Sequence, residues 1–73
     1  MTNAQALAIK WDDMKGNTQI KWDLTSANLT SIAGRETQLL AIVAAKTGYT
    51  AARALEEYVW FMNPFRIASI VSM

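Results

Sequence analysis

The 73-residue chain has no cysteine and no histidine. Without cysteine there is no disulfide framework and no thiolate metal site. Without histidine, the commonest general base and the commonest metal ligand are both missing. Catalysis would have to rest on carboxylates, lysines, hydroxyls or tyrosines, and none of these stands in a nucleophile–base arrangement. Proline occurs once, at Pro64, and glycine only at Gly16, Gly34 and Gly48, so no linker divides the chain and a single domain is expected. Charge of one sign is lacking as well. Seven basic residues face six acidic ones for a net charge of +1, which gives no polyelectrolyte attraction for nucleic acid or an anionic membrane surface. No apolar run approaches the roughly 20 residues that cross a bilayer. The start, MTNAQALAIKWDD, has neither the basic beginning nor the long apolar centre of a signal peptide, so a cytoplasmic location is expected.

What the chain does have is apolar surface. Hydrophobic residues make up 52% and charged residues only 18%, a high ratio for a domain that buries only about 60% of its unfolded surface. Their spacing is helical. Thr2 or Asn3 caps a first helix to about Lys15, with Leu7, Trp11 and Met14 on one face, and Gly16-Asn17 weakens the helix or ends it. Ile20, Trp22 and Leu24 alternate as in a strand, but no second strand exists to pair with them. That segment is read as a helical turn or extended connector whose Trp22 plugs the core. Thr25 or Ser26 caps a short helix burying Leu29 and Ile32, and Gly34 breaks it.

Glu36 to Thr47 is the strongest helix, with Leu39, Leu40, Ile42 and Val43 at three- and four-residue spacings. Lys46 suits its negative end, and Gly48 follows as a left-handed C-cap. Thr50 caps a further helix from Ala51 to about Met62, with Ala51, Ala54, Leu55, Tyr58 and Met62 inward and Arg53, Glu56 and Glu57 outward. Asn63-Pro64 then ends that helix or starts another, so the tail FRIASIVSM is a short fifth helix or a frayed end. The expected fold is one all-α domain, a small bundle of four short helices with a fifth as the alternative. Its expected core is Leu7, Trp11, Met14, Trp22, Leu29, Ile32, Leu39, Val43, Leu55, Tyr58 and Val59.

The order of Trp11, Met14-Lys15-Gly16, Trp22, Leu24-Thr25, Leu29, Ile32, Gly34, Gln38-Leu39, Gly48-Tyr49 and Ala54 resembles the CsbD-like bacterial general stress-response proteins. That family runs W-x-x-hydrophobic-K-G, W-G-K-L-T, I-x-G-x-x-x-Q-L and Y-G-Y, then alanine and a final tryptophan. The resemblance covers about residues 8–61. It departs at Asp23, where the family has Gly-Lys, at Thr47 for the first aromatic of Y-G-Y, and at Phe61 for the last tryptophan. Family members are highly charged, whereas this chain carries Ala41, Ile42, Ala44, Ala45, Ala51 and Ala52 at many corresponding positions. The resemblance implies four or so helices packed as two crossed hairpins in a SAM-like arrangement, with no established enzymatic activity or ligand. Two origins compete for such a sequence: a divergent natural member, or an engineered sequence written onto the family's backbone.

Trp11, Trp22 and Trp60 with Lys10, Lys15, Lys21 and Arg35 have the residue types of a single-stranded nucleic-acid surface. Indoles are also the largest pieces of a small core, and Asp12, Asp13 and Asp23 would interrupt a phosphate track, so the core reading is preferred. The adjacent carboxylates of Asp12-Asp13 and Glu56-Glu57 diverge by about 100° on a helix and cannot share a proton or a metal. No catalytic, cofactor or metal residues are expected. The surplus of apolar residues near the C-terminus marks Trp60, Phe61, Phe65, Ile67 and Ile70 as the candidate interaction face, unless the tail completes the core or an engineered surface was left greasy. The expected partners are accordingly few: no small-molecule ligand, no nucleic acid, no membrane, and a monomer or weak homo-oligomer.

Overall fold

The computed structural model describes the backbone of residues 2–71 and the side-chain surroundings of residues 2–64. Among the described residues five helices follow in order: α1 (Asn3–Ile9), α2 (Trp11–Trp22), α3 (Ser26–Ile32), α4 (Glu36–Thr47) and α5 (Ala51–Val71). No strand occurs among the described residues. α4 lies at the centre and packs on each of the other four helices, and α1 in turn packs on α2 and α5.

Local chemistry explains most boundaries. Thr2 caps α1 reciprocally with Gln5, and Thr25 caps α3 with Asn28; each hydroxyl accepts a backbone N–H at 3.1 Å while the amide oxygen accepts in return at 2.9 Å. The hydroxyl of Thr50 accepts from the Arg53 N–H at the start of α5. α4 spans the expected residues and ends on Gly48 at φ +78°, where a residue without Cβ pays least.

Two expected boundaries are corrected. The first helix does not run to Lys15. It stops at Lys10, whose φ of −102° and ψ of 18° kink the chain while its carbonyl already accepts from Asp13 and Met14 at 3.0 Å. α2 then passes through Gly16 as ordinary helix and takes in the ambiguous segment up to Trp22. Met14, Thr18 and Trp22 form its buried stripe, which outweighs one glycine costing about 1 kcal/mol. Its end is a Schellman turn, with Asp23 left-handed at φ 55° and the Leu24 N–H donating back to the Gln19 carbonyl at 3.0 Å.

The second correction is at Pro64, which neither ends α5 nor starts a separate fifth helix but sits inside one continuous helix. Proline leaves the Trp60 carbonyl without its helical donor. Trp60 and Pro64 are both exposed, so the missing bond lies where water can replace it.

The core joins Leu7 of α1, Met14 and Trp22 of α2, Ile32 of α3, Leu39 and Val43 of α4, and Ala54, Tyr58 and Met62 of α5, with Ala6 and Leu24. Thr18 is buried among them because its hydroxyl donates to the Lys15 carbonyl at 2.7 Å. Trp11 and Leu29 are only partly buried against this cluster. Of the residues expected inside on α5, Ala54, Tyr58 and Met62 are buried, whereas Ala51 is exposed and Leu55 and Val59 are 48% and 41% exposed.

The corner between α3 and α4 is the tightest passage. Ala33 and Gly34 are both left-handed, at φ 46° and 76°. A Cβ on Gly34 would lie 3.1 Å from the Cβ of Trp11 and 3.3 Å from the Cα of Ala8. The glycine therefore supplies both the turn and the close approach to the kink between α1 and α2.

Candidate functional site

The residues with chemical potential are distributed by the helices rather than gathered by them. Asp12 bonds Lys15 one turn on at 3.5 Å, on the surface of α2. Glu57 bonds Arg53 at 3.4 Å on α5, and Arg53 also lies 5.0 Å over the Tyr49 ring. Both are local pairs of the kind that add a few tenths of a kcal/mol to a helix. Among the described residues no group of three acidic, histidine or cysteine side chains is placed to hold a metal ion. No helix of the described residues is long and apolar enough to cross a membrane.

The basic and aromatic residues considered for nucleic acid also separate. Trp22 is buried, Trp11 is half-buried beside Gly34, and Trp60 stands outward at 58% exposure. Arg35 turns back on α3, where its guanidinium donates to the carbonyls of Ser31 at 2.7 Å and Ile32 at 3.3 Å. It caps a helix end there. Lys21 lies 5.6 Å over the ring of its neighbour Trp22.

The expected apolar face divides as well. Trp60 points to solvent, but Phe61 turns inward against the core, its ring centroid 5.1 Å from that of Trp22 at an angle of 56°. The side chains of Phe65, Ile67 and Ile70 lie outside the described residues.

A polar contact spans the fold. The Tyr58 hydroxyl, on the buried side of α5, donates to the Glu36 carboxylate in the first turn of α4 at 2.7 Å. Burial, then the hydrogen bond to Glu36 and its negative charge, push the Tyr58 phenol far above its ordinary value. A phenol held protonated in this way is no general acid or base near neutral pH. Sequence reasoning missed the pair because 22 residues separate its members and no local pattern joins them.

No protein-family model matches the chain, and no curated protein or solved structure matches it either.

Proposed function

We propose that the chain is a non-enzymatic, cytoplasmic helical protein of the CsbD-like type, associated with a bacterial stress response. The observation that supports this reading is where the residues of the resemblance fall. Trp22, Leu24, Ile32 and Leu39 are core residues, Thr25 is a helix cap, and Gly34 and Gly48 are the two left-handed glycines. Most of the family-like positions are therefore ones on which the fold depends, whereas Lys15, Gly16 and Gln38 are exposed. On this reading the protein takes no cofactor, binds neither small molecules nor nucleic acid, and is a monomer or weak homo-oligomer. Protein abundance in the source cell, compared between exponential growth, osmotic upshift and stationary phase, tests it. A several-fold rise under stress is expected, and a flat level across all three would sink the stress-response reading.

A second reading, an engineered sequence on the same backbone, is favoured by the surface. Ala41, Ala45, Ala51 and Ala52 are all exposed, at positions where the family carries charge. Idealised sequences of that kind are typically hyperstable, so an ordinary mesophilic midpoint near 45–65 °C would count against it.

A further inference from the structure

We infer that Gly48 is a hinge that keeps the chain monomeric, and that a residue there which prefers the right-handed helix lets α5 exchange with a second copy. α5 is the whole of the described chain beyond this hinge. Its partners α4 and α1, and Trp22 of α2 against Phe61, all precede it. The Tyr58–Glu36 hydrogen bond crosses the hinge as well. The α5 of a second copy can therefore make the same contacts, and the exchange closes with two-fold symmetry.

Little separates the hairpin of α4 and α5 from a straight helix. Gly48 still donates its N–H to the Ala44 carbonyl at 2.9 Å, and helical bonding resumes where the Ala54 N–H meets the Thr50 carbonyl at 2.9 Å. Between these bonds the turn is held by Gly48 at φ 78° and by the Thr47 hydroxyl, which accepts from the Tyr49 N–H at 3.2 Å. A Cβ on Gly48 would meet nothing within 4 Å, so only the left-handed dihedral asks for glycine there. The other corners differ. Gly34 is also wedged against Trp11 and Ala8, and Asp23 and Ala33 hold left-handed φ with side chains in place.

With residue 48 right-handed, α4 and α5 run on as one helix from Glu36 to Val71, about 54 Å long. At about 100° per residue, the buried Leu39 and Val43 of α4 then lie within about a quarter turn of the buried Ala54 and Tyr58 of α5. The straight helix thus presents both buried stripes to one side. An antiparallel second copy on that side supplies α5 to the first stripe and α4 to the second.

Gly48→Ala tests this. Alanine disfavours the left-handed turn about tenfold in each chain, so the association constant of the exchanged dimer should rise about a hundredfold. The full-length chains are unfolded in denaturant, refolded at about 1 mM and sedimented, with circular dichroism confirming that each is helical. Gly48→Ala should approach twice the monomer's 8.1 kDa. Wild type and Gly48→Asn, whose asparagine tolerates the left-handed turn, should remain monomeric. Diluted to about 1 µM, the Gly48→Ala dimer should persist for hours, because separation requires α5 to leave the core. The inference is overturned by a monomeric Gly48→Ala, by wild type or Gly48→Asn dimerising equally well, or by a dimer that separates at once on dilution. It stands independently of the stress-response reading, which abundance alone decides.

Discussion

The hydroxyl of Tyr58 donates to the carboxylate of Glu36 at 2.7 Å, tying the middle of α5 to the first turn of α4. The residue that fills the α4–α5 interface thus also carries the polar link across it. A buried phenol needs a partner for its O–H, and the carboxylate at the positive end of α4 supplies one.

Removing that hydroxyl measures the link. Tyr58→Phe keeps the ring in the core and deletes a bond to a charged acceptor, worth about 1.5–3 kcal/mol. The melting midpoint should fall by roughly 6–20 °C for a domain of this size. A midpoint unchanged from wild type would mean that water serves Glu36 equally well.

The same bond makes stability sensitive to alkali. Tyr58 in the folded protein titrates far above the ordinary tyrosine value of 10.0, while in the unfolded chain it ionises near that value. A raised folded-state value means the contribution is fully present below about pH 10 and is lost as pH climbs above it. Urea midpoints measured between about pH 9 and 11 should therefore drop more steeply for wild type than for Tyr58→Phe. Parallel slopes would remove Tyr58 as the cause.

Two glycines should respond in opposite directions to alanine. Gly16 has helical backbone and open space, so Gly16→Ala should stabilise the monomer by about 1 kcal/mol, measured by urea unfolding at low micromolar concentration. Gly34→Ala meets the Trp11 side chain at 3.1 Å and must hold φ at 76°, so it should cost about 1–3 kcal/mol or more. Equal effects at the two sites would contradict the tight corner.

The facing of α5 is equally testable. Met62 is fully buried and Leu55 is half in solvent, although both sit on the stripe that spacing alone assigns to the core. Met62→Ala should cost about 2–5 kcal/mol, a large share of the stability of so small a domain. Leu55→Ala should cost less than about 1 kcal/mol. Thermal melts of the pair that reversed this order would mean α5 is rotated.

Which parts of this structure were legible in the chain follows from the range of the forces involved. Local signals set α4 to the residue. A three- and four-residue apolar repeat, Lys46 at one end and Gly48 beyond it act within a turn or two of backbone. The Thr25 cap, the Gly34 break and the Thr50 cap were readable for the same reason. Absences were just as informative, because a chain with neither cysteine nor histidine excludes whole classes of site before it folds.

Only the tertiary structure decided the rest. Nothing near Lys10 marks a kink, which arises where the Gly34 corner lies against Ala8 and Trp11. Gly16 and Pro64 are both local breakers, yet each lies inside a helix. The buried stripe of α2 offsets the first, and solvent can take the orphan carbonyl left by the second. A stripe as wide as Ala51, Ala54, Leu55, Tyr58 and Met62 admits more than one rotation, and packing on α4 and α1 chose the one that buries Ala54 and Met62 and leaves Leu55 and Val59 outside. The Tyr58–Glu36 bond depends on that same rotation. Spacing sets which residues share a face; only the neighbour a helix meets sets how that face is turned.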